Sequence, residues 1–402
     1  MKVSRVERHI INKNHKMFKI VDEYCFKSKD IYNYANYTVR QEYIKNKEYI
    51  PYPRSSKLLK TSDPFKAIGS NSAQMTLKLL HQNWKSFFAA LKDYQKSPNK
   101  YLGRPQIPKY LKKNGRYVWT LTNVQSKVIN GYLKFSFQPL HPFNNLIRTK
   151  VEGKHMQTRF IPKGDHYVME IVYEKELQSS NCESKRILGL DLGVSRFTTS
   201  QNNIKLNPFA INGGKIKSIN NFYNKQIAKY SSKAKKINDL DWTNRLQRIT
   251  TKRNNKIDYL MHCYSRYIVN YCIDNQIDTV VIGYNEKWKQ NSKIGSANQK
   301  FVGIPFYSFI SKLEYKLQEI GVIVFKTEES YTSKASFLDN DLMVKGTEYS
   351  GKRIERGLYK VDNGTLINAD VNGASNIIRK VFPNAFADGI KGVHLHPVII
   401  NL

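Results

Sequence analysis

Asp191 closes the apolar run Arg186-Ile-Leu-Gly-Leu-Asp-Leu-Gly-Val194, and Asp370 opens the stretch Ile367-Asn-Ala-Asp-Val-Asn-Gly-Ala-Ser-Asn-Ile377, where Ala374, Ile377 and Ile378 follow at helical spacing. The first pattern predicts a buried strand with a carboxylate at its end. The second predicts a carboxylate where the chain enters a helix. Two acids set into the most apolar parts of a basic chain suit the binding of divalent metal through oxygen ligands. Hydrolysis of a phosphodiester then needs two magnesium ions about 4 Å apart, one activating water and the other steadying the leaving oxygen.

Such a clamp calls for a third acid. The strand Thr279-Val-Val-Ile-Gly283 is the natural place for one, yet it ends in Gly283-Tyr-Asn, and only Glu286 lies near, in a loop. The next apolar run ends in Phe325-Lys-Thr-Glu-Glu-Ser-Tyr-Thr-Ser-Lys334 and supplies Glu328 and Glu329. Alternation along a strand assigns Glu329 to the face of Ile323 and Phe325, and Glu328 to the face of Val322 and Val324. A regular strand sends only one of them toward the metals; Glu329 is preferred and Glu328 is the alternative. Singly, these acids read as a turn residue, a helix start and a solvated pair. Their joint placement in this chain selects the metal reading.

The 402 residues carry 66 Lys and Arg against 32 Asp and Glu, a formal charge of +34, which calls for a polyanionic partner. Nucleic acid fits better than an acidic membrane surface, because the basic residues spread along the whole chain instead of forming one amphipathic helix. The first ten residues, Met-Lys-Val-Ser-Arg-Val-Glu-Arg-His-Ile10, lack an apolar signal core, and no segment approaches the roughly 18 apolar residues of a membrane helix. A cytoplasmic protein with no membrane association and no obligate protein partner is expected. Cys25, Cys182, Cys263 and Cys272 lie far apart without a Cys-x-x-Cys pair, so neither zinc nor a disulfide framework is indicated.

The elements that must position the acids follow from periodicity. One strand is predicted within the first 14 residues, then a helix from Lys16 to Lys47 with Phe18, Val21 and Cys25 and later Ile31, Ala35 and Val39 inward. Ala73, Leu77, Leu80, Trp84, Phe87, Leu91 and Tyr94 make the apolar stripe of a second long helix, closed by Pro98. Between 100 and 180 the alternating runs Tyr132–Phe137 and Tyr167–Tyr173 read as strands of a small barrel. A polar linker at 178–185 precedes the acid-bearing half, where strands alternate with helices at 215–237, 244–275 and 306–320. That order predicts an α/β sheet with acids at strand ends.

At these residues the chain closely resembles TnpB, the family of RNA-guided DNA nucleases carried by bacterial insertion sequences and kin to the type V CRISPR effectors. The resemblance covers most of the chain. It rests on Ser28-Lys-Asp-Ile-Tyr-Asn-Tyr-Ala-Asn36, Asn83-Trp-Lys-Ser-Phe-Phe-Ala-Ala90, Gly103-Arg-Pro-Gln-Ile-Pro-Lys109, Gly189-Leu-Asp-Leu-Gly193, Val281-Ile-Gly-Tyr-Asn285, Trp288-Lys-Gln290, Tyr331-Thr-Ser-Lys334 and Asp370-Val-Asn-Gly-Ala374. Each is weak alone; their order is specific.

The resemblance implies an RNase H-like, RuvC-type α/β nuclease domain at 183–331 and 361–402, with Asp191 and Asp370 as its first and third acids. It also implies a helical recognition domain at 15–98 and a β-barrel wedge domain at 1–14 and 99–182. Together these would hold guide RNA and its heteroduplex with target DNA by shape and phosphate contacts. Two departures stand out. The usual second acid is missing at Gly283, as in a branch of the family whose glutamate has moved to the segment before Tyr-Thr-Ser, which Glu328 or Glu329 fits. Residues 332–360, where relatives carry a zinc ribbon, hold no cysteine, so this remnant must fold without zinc or be a reduced hairpin. Lys100, Arg104, Lys109, Lys112, Lys113 and Arg116 are expected at phosphates, and Trp288, in what relatives use as a mobile lid near the active site, and Lys289 are expected to bind nucleic acid. The expected activity is magnesium-dependent, RNA-guided DNA cleavage. The rivals are a nuclease-dead RNA-guided repressor and a guide-independent nuclease of RuvC descent.

Overall fold

The computed structural model describes residues 2–177, 185–285, 301–387 and 392–402, without the side chain of Asn238. Trp288, Lys289, Glu286 and Cys182 lie outside the described residues. The chain forms two units, residues 1–176 and 177–402.

In the first unit, β1 (Lys2–Ile11) is followed by α1 (Phe18–Asn46), α2 (Tyr52–Leu59), α3 (Asp63–Ile68) and α4 (Ser70–Lys96). The helices at 16–47 and 73–94 expected from periodicity are α1 and α4. Both bury their apolar stripes, and polar pairs key them together: Ser28 Oγ lies 3.0 Å from Thr76 Oγ1, and Trp84 donates from Nε1 to Asn36 at 3.2 Å. Strands β2 (Trp119–Thr122), β3 (Ser126–Ile129), β4 (Tyr132–Phe135), β5 (Ile147–Arg148), β6 (Lys154–Pro162) and β7 (Tyr167–Glu176) complete the unit. Trp119 is stacked between Tyr24 of α1 and Phe160 of β6, with centroids 4.7 and 4.8 Å away, so one buried indole joins the helices to the sheet.

The strands expected in a small barrel lie in two antiparallel sheets, β1-β7-β6-β2 and β3-β4-β5. β1 pairs with β7 along its full length, from Lys2 opposite Glu176 to Ile11 opposite Tyr167. A turn closed by Gln125 N on Thr122 O ends β2 and starts a separate ladder at β3. The two sheets meet where Ser126 donates to Thr158 at 3.1 Å, a contact between side chains instead of a shared ladder.

The second unit is the expected α/β sheet. Its strands are β8 (Ile187–Leu192), β9 (Arg196–Asn202), β10 (Phe209–Asn212), β11 (Thr279–Gly283), β12 (Ile323–Thr327) and, after the small strands described below, a closing strand at Val398–Ile400. The order is β12-β11-β8-β9-β10 and then that closing strand. β8, β9 and β10 are antiparallel neighbours, while β11 runs parallel to both β8 and β12. Helices α5 (Gly214–Asn238), α6 (Asn244–Asp274) and α7 (Phe306–Glu319) connect the sheet, and α8 (Ala369–Val381) follows the insertion. Leu188, Leu190, Leu192, Val280 and Ile282 share a core with α6 and α7, whereas Ile187 and Val281 pack on Ile377 and Ile378 of α8. Because side chains alternate along a strand, Asp191 and Gly283 belong to the α8 face.

The cysteine-free insertion has its own three-stranded sheet, β13 (Lys352–Glu355), β14 (Leu358–Lys360) and β15 (Leu366–Asn368), making the closing strand β16. Leu358 pairs with Asn368, so the small sheet takes its third strand from beyond residue 360 and runs directly into α8. Asp341 ties the preceding loop: its carboxylate accepts from Ser336 N at 2.8 Å, Ser350 N at 3.1 Å and Ser350 Oγ at 2.8 Å.

Candidate active site

The sheet carries Asp191 to the α8 face, and α8 brings Asp370 to meet it. Asn368 caps α8, accepting from the backbone N–H of Asp370 at 3.1 Å and Val371 at 3.2 Å, which sets Asp370 in the first helical turn. One turn on, Gly373 leaves room for the strand: a Cβ there would stand 2.9 Å from Asp191 Oδ2. The Asp191 carboxyl therefore nests against the helix between Asp370 and Gly373. Burial and the neighbouring Asp370 charge push it well above the usual carboxylate range, against the Arg353 charge and a bond from Leu192 N–H.

Of the two glutamates, the structure brings Glu329 to Asp191 and turns Glu328 away. β12 ends at Thr327, so both lie beyond the regular strand. Glu329 is placed by a turn instead: its N–H donates to Asn285 Oδ1 at 3.1 Å, and its carbonyl accepts from Thr332 N and Oγ1. Asn376 of α8 grips this turn through Thr332 O and Ala335 O at 2.9 and 2.7 Å, and Asn372 binds Ala335 O and Phe337 N. The Glu329 side chain is half-buried with its Oε1 enclosed, and desolvation together with the Asp191 charge raises its carboxyl strongly. Its Oε1 has no hydrogen-bond partner among the described residues. Glu328 is exposed, bonded to Lys380 and Ser330, and these bonds hold its carboxyl below the ordinary range.

Asp370 borders an open cavity of about 490 Å³ with Asp191, Arg196, Arg353 and Arg356. Its Oδ2 accepts from Arg196 Nη1 at 3.0 Å, and Oδ1 lies 3.8 Å from Arg353 Nη2. Among the described residues no three His, Cys, Asp or Glu side chains converge on one point where a metal could sit. The donor set nonetheless suits magnesium: three carboxylates, one with an orphaned buried oxygen, beside a cavity lined by arginines that attract phosphate.

The sequence patterns assign no role to several of these residues. Gly373 was accessible to such patterns, being one helical turn from Asp370. Asn372 and Asn376 carried a weaker signal, two amides at i, i+4 in an apolar helix. Arg196 and Arg353 carried none, since their relation to Asp370 exists only across the fold.

In the first unit, Lys29, Asn33, Asn36 and Arg40 form a polar stripe on α1 that holds the irregular segment 108–113 by its backbone. Asn33 bonds Leu111 through both N–H and C=O, at 2.8 and 3.0 Å. Asn36 and Arg40 reach Pro108 O, at 3.0 and 2.7 Å, and Lys29 reaches Lys113 O at 2.9 Å. With its carbonyls fastened, the segment leaves Lys109, Lys112 and Lys113 exposed; Arg104 and Lys100 are also exposed, the latter 3.6 Å from Asp93. Arg116 differs: its guanidinium grips Asp22 at 2.9 and 2.7 Å, which leaves it little capacity for a phosphate.

Residues 170–289 match the OrfB_IS605 family model, described as "Probable transposase", and residues 306–377 match the model "Cas12f1-like, TNB domain". The chain is 26% identical over 238 residues to the CRISPR-associated endodeoxyribonuclease Cas12f1 of Sulfoacidibacillus thermotolerans, covering 56% of this chain and 53% of that protein. It thus spans about half the length of the curated relative it matches. Among solved structures, the protein of a Cas12f1–sgRNA–target DNA complex determined by cryo-EM aligns with a TM-score of 0.54 at 15% identity, covering 90% of this chain and 82% of that one. That likeness is one of fold.

Proposed function

We propose, from the premise that the chain is a TnpB-like relative of the type V effectors, that it is an RNA-guided DNA endonuclease working in the cytoplasm with one RuvC-type site. The observation that carries this reading is the placement of Glu329 against Asp191 with one enclosed carboxylate oxygen that has no partner among the described residues, beside Asp370 and an arginine-lined cavity. Two magnesium ions held by Asp191, Glu329 and Asp370 would supply an activated water and neutralise charge at the leaving oxygen.

The chain's own residues supply the rest. Leu188, Leu190 and Leu192 fix the strand that carries Asp191. Asn372 and Asn376 hold the turn that carries Glu329. Arg196, Arg353 and Arg356 place positive charge where a scissile phosphate would enter. Residues 15–98 and the two sheets of the first unit act as recognition and wedge regions, with Lys100, Arg104, Lys109, Lys112 and Lys113 on phosphates, and a short motif beside the target is required. The single site cuts both strands in turn.

The ion pairs of Asp370 with Arg196 and Arg353 favour one other reading, a protein that binds guide and target without cutting. One experiment separates them. The chain is purified with RNA transcribed from its own locus and incubated with matched DNA and magnesium. Cleavage that depends on RNA and on target match is expected. Binding without cleavage would establish the repressor reading, and cleavage of branched DNA without RNA would establish a guide-independent nuclease.

A further inference from the structure

Helices α5 and α6 enclose a second cavity, of about 480 Å³, that shares no residue with the one beside Asp370. On α5 the residues Phe222, Gln226 and Tyr230 recur every four positions and so line one face; on α6 Arg245, Lys252 and Lys256 face them. Phe222 is 67% exposed at the mouth, a large ring left in water beside Tyr223. Arg245 is held ready by stacking 3.8 Å over the Tyr230 ring. Lys252 and Lys256 are exposed, have no acidic partner among the described residues, and no acidic residue lines the cavity.

Aromatic faces beside unpaired cations match a ligand that alternates flat bases with phosphates. A duplex keeps its bases stacked and must unpair and unstack one, at a cost in free energy, to insert it into such a cleft. The Tyr223 and Tyr230 hydroxyls are engaged by Thr250 and Arg245, which leaves the Gln226 amide in the lining to meet a ribose 2′-hydroxyl. We propose that the α5–α6 cleft binds single-stranded RNA, with one unstacked base on Phe222 and Tyr223 and the adjoining phosphates on Arg245, Lys252 and Lys256. The inference rests on the reading of the chain as an RNA-binding protein, and it assigns the second unit a hold on RNA separate from its nuclease site.

The test compares the full chain with F222A and with K252A/K256A, in fluorescence anisotropy with oligouridine, oligothymidine and a short duplex across a salt series. Wild type is expected to bind oligouridine best. F222A should weaken that binding by about 5- to 150-fold, the range for losing one stacked base. K252A/K256A should lower the slope of log affinity against log salt by about 1.4, two contacts at about 0.7 each. Unchanged affinity and slope in both variants would overturn the proposal, as would preference for oligothymidine or duplex. Phe222 and the lysines are exposed, so melting curves matching wild type are expected and guard against misfolding. Guided cleavage by the wild-type complex is scored separately, so this cleft and the nuclease reading can fail independently.

Discussion

The Glu329 carboxyl occupies the place that a side chain at Gly283 would take. A Cβ built on Gly283 overlaps Glu329 Oε1 and comes within 2.8 Å of Glu329 Cγ and 2.5 Å of Ile377 Cδ1. Gly283 ends β11 and pairs with Thr327, the last residue of β12, so Glu329 approaches from the turn that follows the neighbouring strand. Gly283 and Glu329 are thus two halves of one arrangement: the glycine vacates the volume that the glutamate fills.

G283A should therefore displace Glu329. Guided cleavage is expected to fall by about 100-fold or more if the carboxylate serves the metals, with a stability cost of about 1–3 kcal/mol from overpacking. Cleavage rates and denaturant melts measure the two effects. Returning the acid to its other place, as G283E in an E329G background, should recover part of the cleavage lost in E329G alone; no recovery would mean the two positions are not equivalent.

The glutamates should separate sharply on substitution. E329A removes a half-buried carboxylate beside Asp191 and should abolish cleavage while guide and target still bind. E328A removes an exposed partner of Lys380, and such pairs contribute about 0–1 kcal/mol. Its cleavage rate should stay within about twofold of wild type in a single-turnover assay, and a large loss there would reassign the third acid.

The raised Glu329 carboxyl predicts a pH dependence of stability in metal-free protein. Desolvation and the Asp191 charge make folded Glu329 hold its proton well above the pH of about 4.3 at which the unfolded chain releases it. The folded state then binds more protons than the unfolded one, so this group's stabilising contribution is full below about pH 4 and is lost as pH rises toward the folded value. E329Q carries no such proton. Its melting temperature relative to wild type should rise from pH 5 to pH 9 without magnesium, and the difference should shrink when magnesium is added; a flat difference would contradict the assigned environment.

Asp341 should stand in for a structural metal in the insertion. D341A leaves the N–H groups of Ser336 and Ser350 without their acceptor; Ser350 is exposed and turns to water, while the buried Ser336 N–H costs about 1–3 kcal/mol. Hydrogen exchange within 336–360 should accelerate accordingly. Chelators should leave exchange in wild type unchanged, and protection lost on chelation would reveal a metal in this segment.

The sequence by itself determined which acids end apolar segments, the helices of α1, α4, α5, α6 and α7, and the alternation that produces an α/β sheet. These are local properties: periodicity and the residue at an element's end suffice to read them. Asp191 and Asp370 were legible for that reason, and Glu329 was preferred over Glu328 by strand parity, although both lie past the strand end where parity lapses. Only the tertiary structure decided the rest. The overlap of Gly283 with Glu329, the gap at Gly373 that admits Asp191, the grip of Arg196 and Arg353 on Asp370 and the engagement of Arg116 by Asp22 all join residues distant in sequence. Volume and charge are shared only once strands and helices are packed, so no pattern along the chain encodes which neighbour fills a glycine's space or which arginine meets a carboxylate.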